Sequence, residues 1–212
     1  GYTRANFNNQ YWDTGDEWFD APTGIAVDEM FWNVDWLEER IASVLDRHEA
    51  NTGYTTCHWH TTRQMSILFD RTGRLTALKA KAQMDYPETL RKNIIAKNLP
   101  LLHTAIPSYT NQLKKAISHD DLVSVNHRFS EYLASYFDIL FALNRIPHPG
   151  EKRLITFAMA NCTSLPKGFE TDLTTLLTYS GPVNEQWLKT LDHLNQAMDV
   201  LLTMNGFSNN QS

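Results

Sequence analysis

The chain has 212 residues, 42% of them apolar and 20% charged, which is the make-up of one large folded domain or one and a half ordinary ones and excludes a linker or a disordered tail. Nineteen basic side chains against 24 acidic ones leave a net charge of −5. That balance argues against nucleic acid as a partner and is compatible with a bound nucleotide. No run approaches a membrane span, Gly1–Asp20 lacks the parts of a signal peptide, and Cys57 and Cys162 are too few for a disulfide framework or a zinc site. A cytoplasmic protein with two reduced thiols is expected.

In chain order, Gly24–Trp32 (GIAVDEMFW) reads as a strand, with β-branched and aromatic residues around an acidic pair. Alternation puts Ala26, Asp28 and Met30 on one face and Val27, Glu29 and Phe31 on the other. Asn33 then caps a helix carrying Leu37, Ile41, Val44 and Leu45, stopped by Asn51-Thr52-Gly53. Tyr54–Phe69 fits either element type. On a strand, His58 and His60 would share a face as a conceivable metal pair, although packing is the plainer role and no further ligands stand at metal spacing. Asp70-Arg71-Thr72-Gly73 is a turn signal.

From Pro87 onward the pattern is helical. Leu90, Ile94, Ile95 and Leu99 make one face before Pro100 and Pro107 break the run, and Leu113–Ile117 ends at His119-Asp120. The longest helix spans Asp121–Arg145, stopped by Pro147-His148-Pro149-Gly150. Further helices fit Glu151–Asn161, Lys167–Tyr179 and Val183–Met204, and residues 208–212 read as a disordered tail. The fold class expected is mainly α (α+β), a bundle of about five to seven helices behind a small sheet. The expected division is residues 1–85, 86–207 and the tail.

The Asp121–Arg145 helix is apolar around most of its circumference, as a central helix is, so Leu133, Phe137, Leu140 and Phe141 are expected to be buried. One narrow line stays polar: Ser124, Arg128, Glu131, Ser135, Asp138 and Arg145, with Ala142 in the series. It is either a thin solvated face laced with ion pairs or a polar wall against which a ligand is held.

AVDEMFW, WLEER, GYTTCHWHT, LFDRTGRL, YPETLRKNIIAKN, DLVSVNHR, ASYFDILFALNR and HPGEKRL together resemble bacterial proteins of the nucleotidyltransferase superfamily, over about Gly24–Phe169. These have a polymerase-beta-like catalytic domain followed by a helical domain of unassigned function. The resemblance implies three carboxylates holding two magnesium ions, with Asp28 as the third carboxylate, a catalytic metal ligand. It also implies that Asn126, Arg128, Asp138, Asn144, Arg145 and Lys152 contact a nucleoside triphosphate or its unknown hydroxyl acceptor across a cleft from Asp28. The Gly-Ser and Asp-x-Asp of such a site do not occur in these residues. The expectation is therefore the C-terminal part of an enzyme whose catalytic hairpin lies elsewhere, inactive alone, or else a non-catalytic interaction module derived from that fold.

Overall fold

The computed structural model describes residues 1–11, 13–179 and 183–207; the expected tail, 208–212, lies outside them. The fold is mainly α with a small antiparallel sheet. Three strands, β1 (Tyr2–Asn9), β2 (Gly15–Asp20) and β3 (Ala26–Met30), form a meander in the order β1-β2-β3. The strand read at Gly24–Trp32 is β3, and β1 and β2 extend the sheet into the polar, aromatic opening of the chain. The β2–β3 turn is closed by Asp20, whose carboxylate accepts from the Thr23 amide (3.1 Å) and hydroxyl (2.5 Å). The β1–β2 register shifts twice, near Arg4 and Asn8, which stand in left-handed conformations as bulged residues do.

Asn33 caps α1 (Val34–Leu45) by accepting from the Asp35 amide. The Tyr54–Phe69 element is a helix, α2 (Cys57–Gln64), and α3 (Arg74–Lys81) starts after left-handed Gly73 in the expected turn. Then come α4 (Glu88–Leu99), a π-helical turn at Pro100–Thr104, and α5 (Tyr109–Ser118). The remaining helices are α6 (Leu122–Leu143), α7 (Leu154–Asn161), α8 (Phe169–Thr178) and α9 (Glu185–Met204).

Among the described residues one buried cluster joins the α-helices, from Leu37 and Ile41 on α1 through Trp59, Leu113 and Ala158 to Leu202 on α9. No residue of the three strands belongs to it. Within it α6 is central mainly over its C-terminal half: Tyr132 and Ser135 to Leu143 are buried, whereas near its start only Val125 is buried and Leu122 and Val123 are exposed. Phe137, Leu140 and Phe141 are buried as expected; Leu133 is only half-buried.

The loop between α1 and α2 is pressed onto α6. Gly53 stands at φ +76°, and a Cβ there would lie 2.8 Å from the Ala134 Cβ, so both conformation and space select glycine. Its amide donates to Asn98 Oδ1 (3.0 Å), which ties the loop to α4 as well.

Candidate functional site

β2 and β3 pair with Gly15 opposite Met30, Asp16 opposite Glu29, Glu17 opposite Asp28 and Trp18 opposite Val27. Strand alternation then places Glu17 and Asp28 side by side on one face and Asp16 and Glu29 on the other. On β1, Asn6 is the partner of Glu17, so Asn6, Glu17 and Asp28 form one row across the sheet. That row lines a concavity of about 580 Å³ together with Arg4, Trp18 and Phe19. Asp28 is exposed and Glu17 half-buried. Two carboxylates facing each other across adjacent strands repel, and a bound cation removes that cost.

The concavity is lined by strand residues alone, so the expected cleft with Arg128, Asp138 or Lys152 on a wall opposite Asp28 is not what the described residues form. The physical reason lies in the core: the sheet packs no side chain into it.

The polar line on α6 divides in two. Near its start, Ser124 donates its amide (3.0 Å) and hydroxyl (2.6 Å) to the capping carboxylate of Asp121, and Arg128 pairs with Glu131 at 2.9 Å. Further along, Ser135, Asp138 and Ala142 are buried. The line is therefore neither one solvated face nor one wall.

Asp138 accepts from the Thr55 amide (3.1 Å) and hydroxyl (2.7 Å), with the Asn98 amide at 3.5 Å. Burial pushes its carboxyl up to about 7, partly opposed by the two Thr55 hydrogen bonds. It fastens the α1–α2 loop from inside and offers nothing to solvent. On the next residue of the same loop, Thr56 Oγ1 accepts the His148 backbone amide (2.7 Å), and His148 Nδ1 accepts the Gly150 amide (3.1 Å). Its Nε2 is buried without a partner among the described residues, and burial drives its pKa down to about 3, so the ring is neutral.

The other residues implied by the resemblance are dispersed. Asn144 clips the α7–α8 connection to the end of α6, donating to the Ser164 carbonyl and accepting the Ser164 amide, both at 2.9 Å. Asn126 turns its amide back to the Leu122 carbonyl. Arg145 is exposed and pairs with Glu88 at 3.0 Å; Lys152 is exposed in the loop before α7.

His58 and His60 do not form a pair. On a helix, side chains two residues apart point in nearly opposite directions. His58 packs edge-on against Trp32 and Trp36, and His60 against Phe157. Among the described residues no three of His, Cys, Asp and Glu gather where they would hold a metal ion. Both cysteines are free thiols, and burial raises both, Cys162 to about 12, which keeps them protonated and poor nucleophiles.

Glu17 is the residue that sequence reasoning passed over. Its signal was present: Ala21-Pro22-Thr23-Gly24 is a turn between GDEWFD and IAVDEM, and folding the chain there brings Glu17 opposite Asp28.

Residues 57–153 match a family described as a domain of unknown function (DUF4037). No curated protein matches the chain. The matched segment runs from the first residue of α2 to the end of the loop after α6. It contains Asp138, His148 and Arg128 and excludes the sheet with its carboxylate pair. No described helix is long and apolar enough to cross a membrane.

Proposed function

We propose that the chain is the nucleotide- and acceptor-binding part of a metal-dependent nucleotidyltransferase of the cytoplasm, in which Asp28 and Glu17 contribute one metal position. The intact enzyme would move a nucleoside monophosphate from a nucleoside triphosphate to a hydroxyl acceptor. What carries this reading is the Glu17–Asp28 pair: two like charges set against each other on an exposed sheet face, at the position the resemblance assigns to a metal ligand.

The pair suits a single magnesium ion, which takes one or two carboxylates and completes its octahedron with water and phosphate oxygens. It does not supply the three-carboxylate set of a two-ion centre, and no such set gathers among the described residues. Bound there, magnesium would neutralise triphosphate charge. The chain's own contribution is to hold both carboxylates on one face of a hydrogen-bonded hairpin.

Titrating magnesium into the wild-type protein, Glu17→Gln and Asp28→Asn, followed by backbone amide shifts, tests the reading. Binding is expected in the wild type, with shifts centred on β2 and β3, and is expected to be lost in Asp28→Asn. In the intact enzyme Asp28→Asn should abolish transfer while leaving the fold unchanged; undiminished turnover would remove Asp28 from catalysis. The chain alone, given magnesium and each of the four nucleoside triphosphates, is expected to release no pyrophosphate above a buffer blank.

A second reading, a non-catalytic interaction module, draws on a different observation. Tyr2, Phe7, Phe19, Met30 and Phe31, on the sheet or directly after it, are all at least 40% exposed. An oligomer or complex that protects these side chains, in a protein that shows no magnesium shift, would favour the module.

A further inference from the structure

The two edges of the sheet differ. Along β1 the ladder is interrupted twice, where Arg4 and Asn8 stand in left-handed conformations, and a bulged edge is a poor template for another strand. β3 pairs with β2 from Ala26 to Met30 without a shift and carries no proline. Its hydrogen-bond phase is set by two bonds at its ends: the Asp20 amide donates to the Ile25 carbonyl (2.9 Å) and the Phe31 amide to that of Thr14 (2.8 Å). Bonded and non-bonded pairs alternate in an antiparallel ladder. Val27 and Glu29 therefore turn their backbone groups to β2, while the amides and carbonyls of Ala26, Asp28 and Met30 point away from it. Among the described residues no strand lies beyond them, and all three residues are exposed.

The side chains beside this edge select what fits it. Val27, Glu29 and Phe31 share the face opposite the Glu17–Asp28 row. Glu29 is exposed, and its neighbour across the ladder is a second carboxylate, Asp16, which accepts the Asn8 amide (2.6 Å). Val27 sits beside Trp18, whose ring approaches that of Phe7, so an apolar shelf runs inward from the edge. A second copy of β3 fits badly, because pairing it antiparallel about its centre sets Asp28 and Glu29 against the same carboxylates.

We propose that β3 accepts an extended segment of a partner protein as a further antiparallel strand, with the side-chain pattern apolar-x-basic-x-apolar. The basic residue lies opposite Glu29 and the apolar ones opposite Val27 and Phe31. Backbone bonds to Ala26, Asp28 and Met30 supply affinity, and the alternating side chains supply specificity. The contact uses the outer edge of β3 and the other face of the sheet, so it stands whether or not Glu17 and Asp28 hold magnesium.

Amide hydrogen exchange with capped Thr-Val-Thr-Lys-Thr-Val-Thr, at millimolar concentration, is the test. In the free protein the Ala26, Asp28 and Met30 amides are expected to exchange fast and those of Val27 and Glu29 more slowly. The peptide should slow the first set and leave the second nearly unchanged. The same peptide with glutamate for lysine should bind roughly fivefold more weakly, the scale of one cross-strand charge pair. N-methylation at the threonines flanking the lysine removes the donors that reach β3 and should abolish protection. Glu29→Gln should erase the preference for lysine, and Glu29→Lys, an exposed change beside Asp16, should reverse it; unchanged exchange in the helices confirms that both variants fold. The proposal is overturned if the lysine peptide protects none of the three amides, if the N-methylated peptide protects them equally, or if both Glu29 variants keep the preference. Protection that rises with protein concentration in the absence of peptide would also overturn it, by giving the edge to a second copy.

Discussion

Asp28 and Asp138 are the same side chain in opposite surroundings. Asp28 stands in water on a sheet that lends nothing to the core, beside a second carboxylate that repels it. Asp138 is 1% exposed on the central helix and takes both hydrogen-bond donors of Thr55. The difference teaches what each acid is for. A buried carboxylate persists only where donors repay its desolvation, so its partners are already chosen and its task is structural. An exposed acid with a like-charged neighbour has no internal partner and stays open to solution, which is what the magnesium reading proposed above draws on.

The largest expected effect breaks that comparison most directly. Asp138→Ala leaves the Thr55 amide without its acceptor in the interior, leaves the Thr55 hydroxyl only its longer contact to the Asn51 carbonyl, and opens a small void, which should cost about 2–4 kcal/mol of unfolding free energy. Asp28→Ala, on an exposed edge strand, should change it by less than about 0.5 kcal/mol. Urea denaturation of both variants measures the contrast. Equal costs would mean that Asp28 supports the fold after all.

The two regions were also unequally legible in the sequence. The helices from Pro87 onward follow from periodicity and proline punctuation, because each buries one stripe and its ends carry strong signals such as Asp121 and Pro147. β1 and β2 were not read, since neither buries a face: with no core to fill, their polar and apolar residues owe nothing to an alternating pattern. The polar line on α6 was visible, but its division was not. Whether Ser135 and Asp138 meet water depends on α4 and the Gly53–Thr55 loop, and that packing is nonlocal.

Acidity sharpens the contrast next. The folded-state carboxyl of Asp138, at about 7, lies above the ordinary unfolded value of about 3.9, so its stabilising contribution is full below that value and is lost as pH rises to 7. His148, at about 3 against an ordinary value of about 6.5, does the reverse: its contribution is full above 6.5 and is lost as pH falls toward 3. Between about pH 4 and 6.5 the two slopes oppose each other, each at most about 1.4 kcal/mol per pH unit. Wild-type stability should therefore vary little from these two groups across that window. Asp138→Asn removes one slope and unmasks the other, so the variant should lose ground to the wild type steadily from pH 7 to pH 4. Urea midpoints at half-unit steps read this out, and parallel curves would mean that Asp138 is ionised throughout.

The smallest effect concerns Arg145, at the point where α6 leaves the core. The Ile146 amide reaches back to the Phe141 carbonyl and the Arg145 amide to that of Ala142, both at 3.0 Å, a helix ending that sets Arg145 in the left-handed region at φ +56°. Glycine is the usual occupant, and a side chain there costs about 1–2 kcal/mol. Against relief of that strain, Arg145→Gly adds about 0.4–1 kcal/mol of unfolded-state entropy and gives up an exposed ion pair with Glu88 that contributes a few tenths. The net is a gain of about 0.5 kcal/mol. Arg145→Ala keeps the strain and loses the ion pair, so the expected order of stability is glycine, wild type, alanine. Finding alanine above glycine would show that the conformation carries no strain. The expected order instead marks Arg145 as a position where the fold tolerates a cost for an exposed guanidinium, which sets it with Asp28 among the groups that face solution and apart from Asp138.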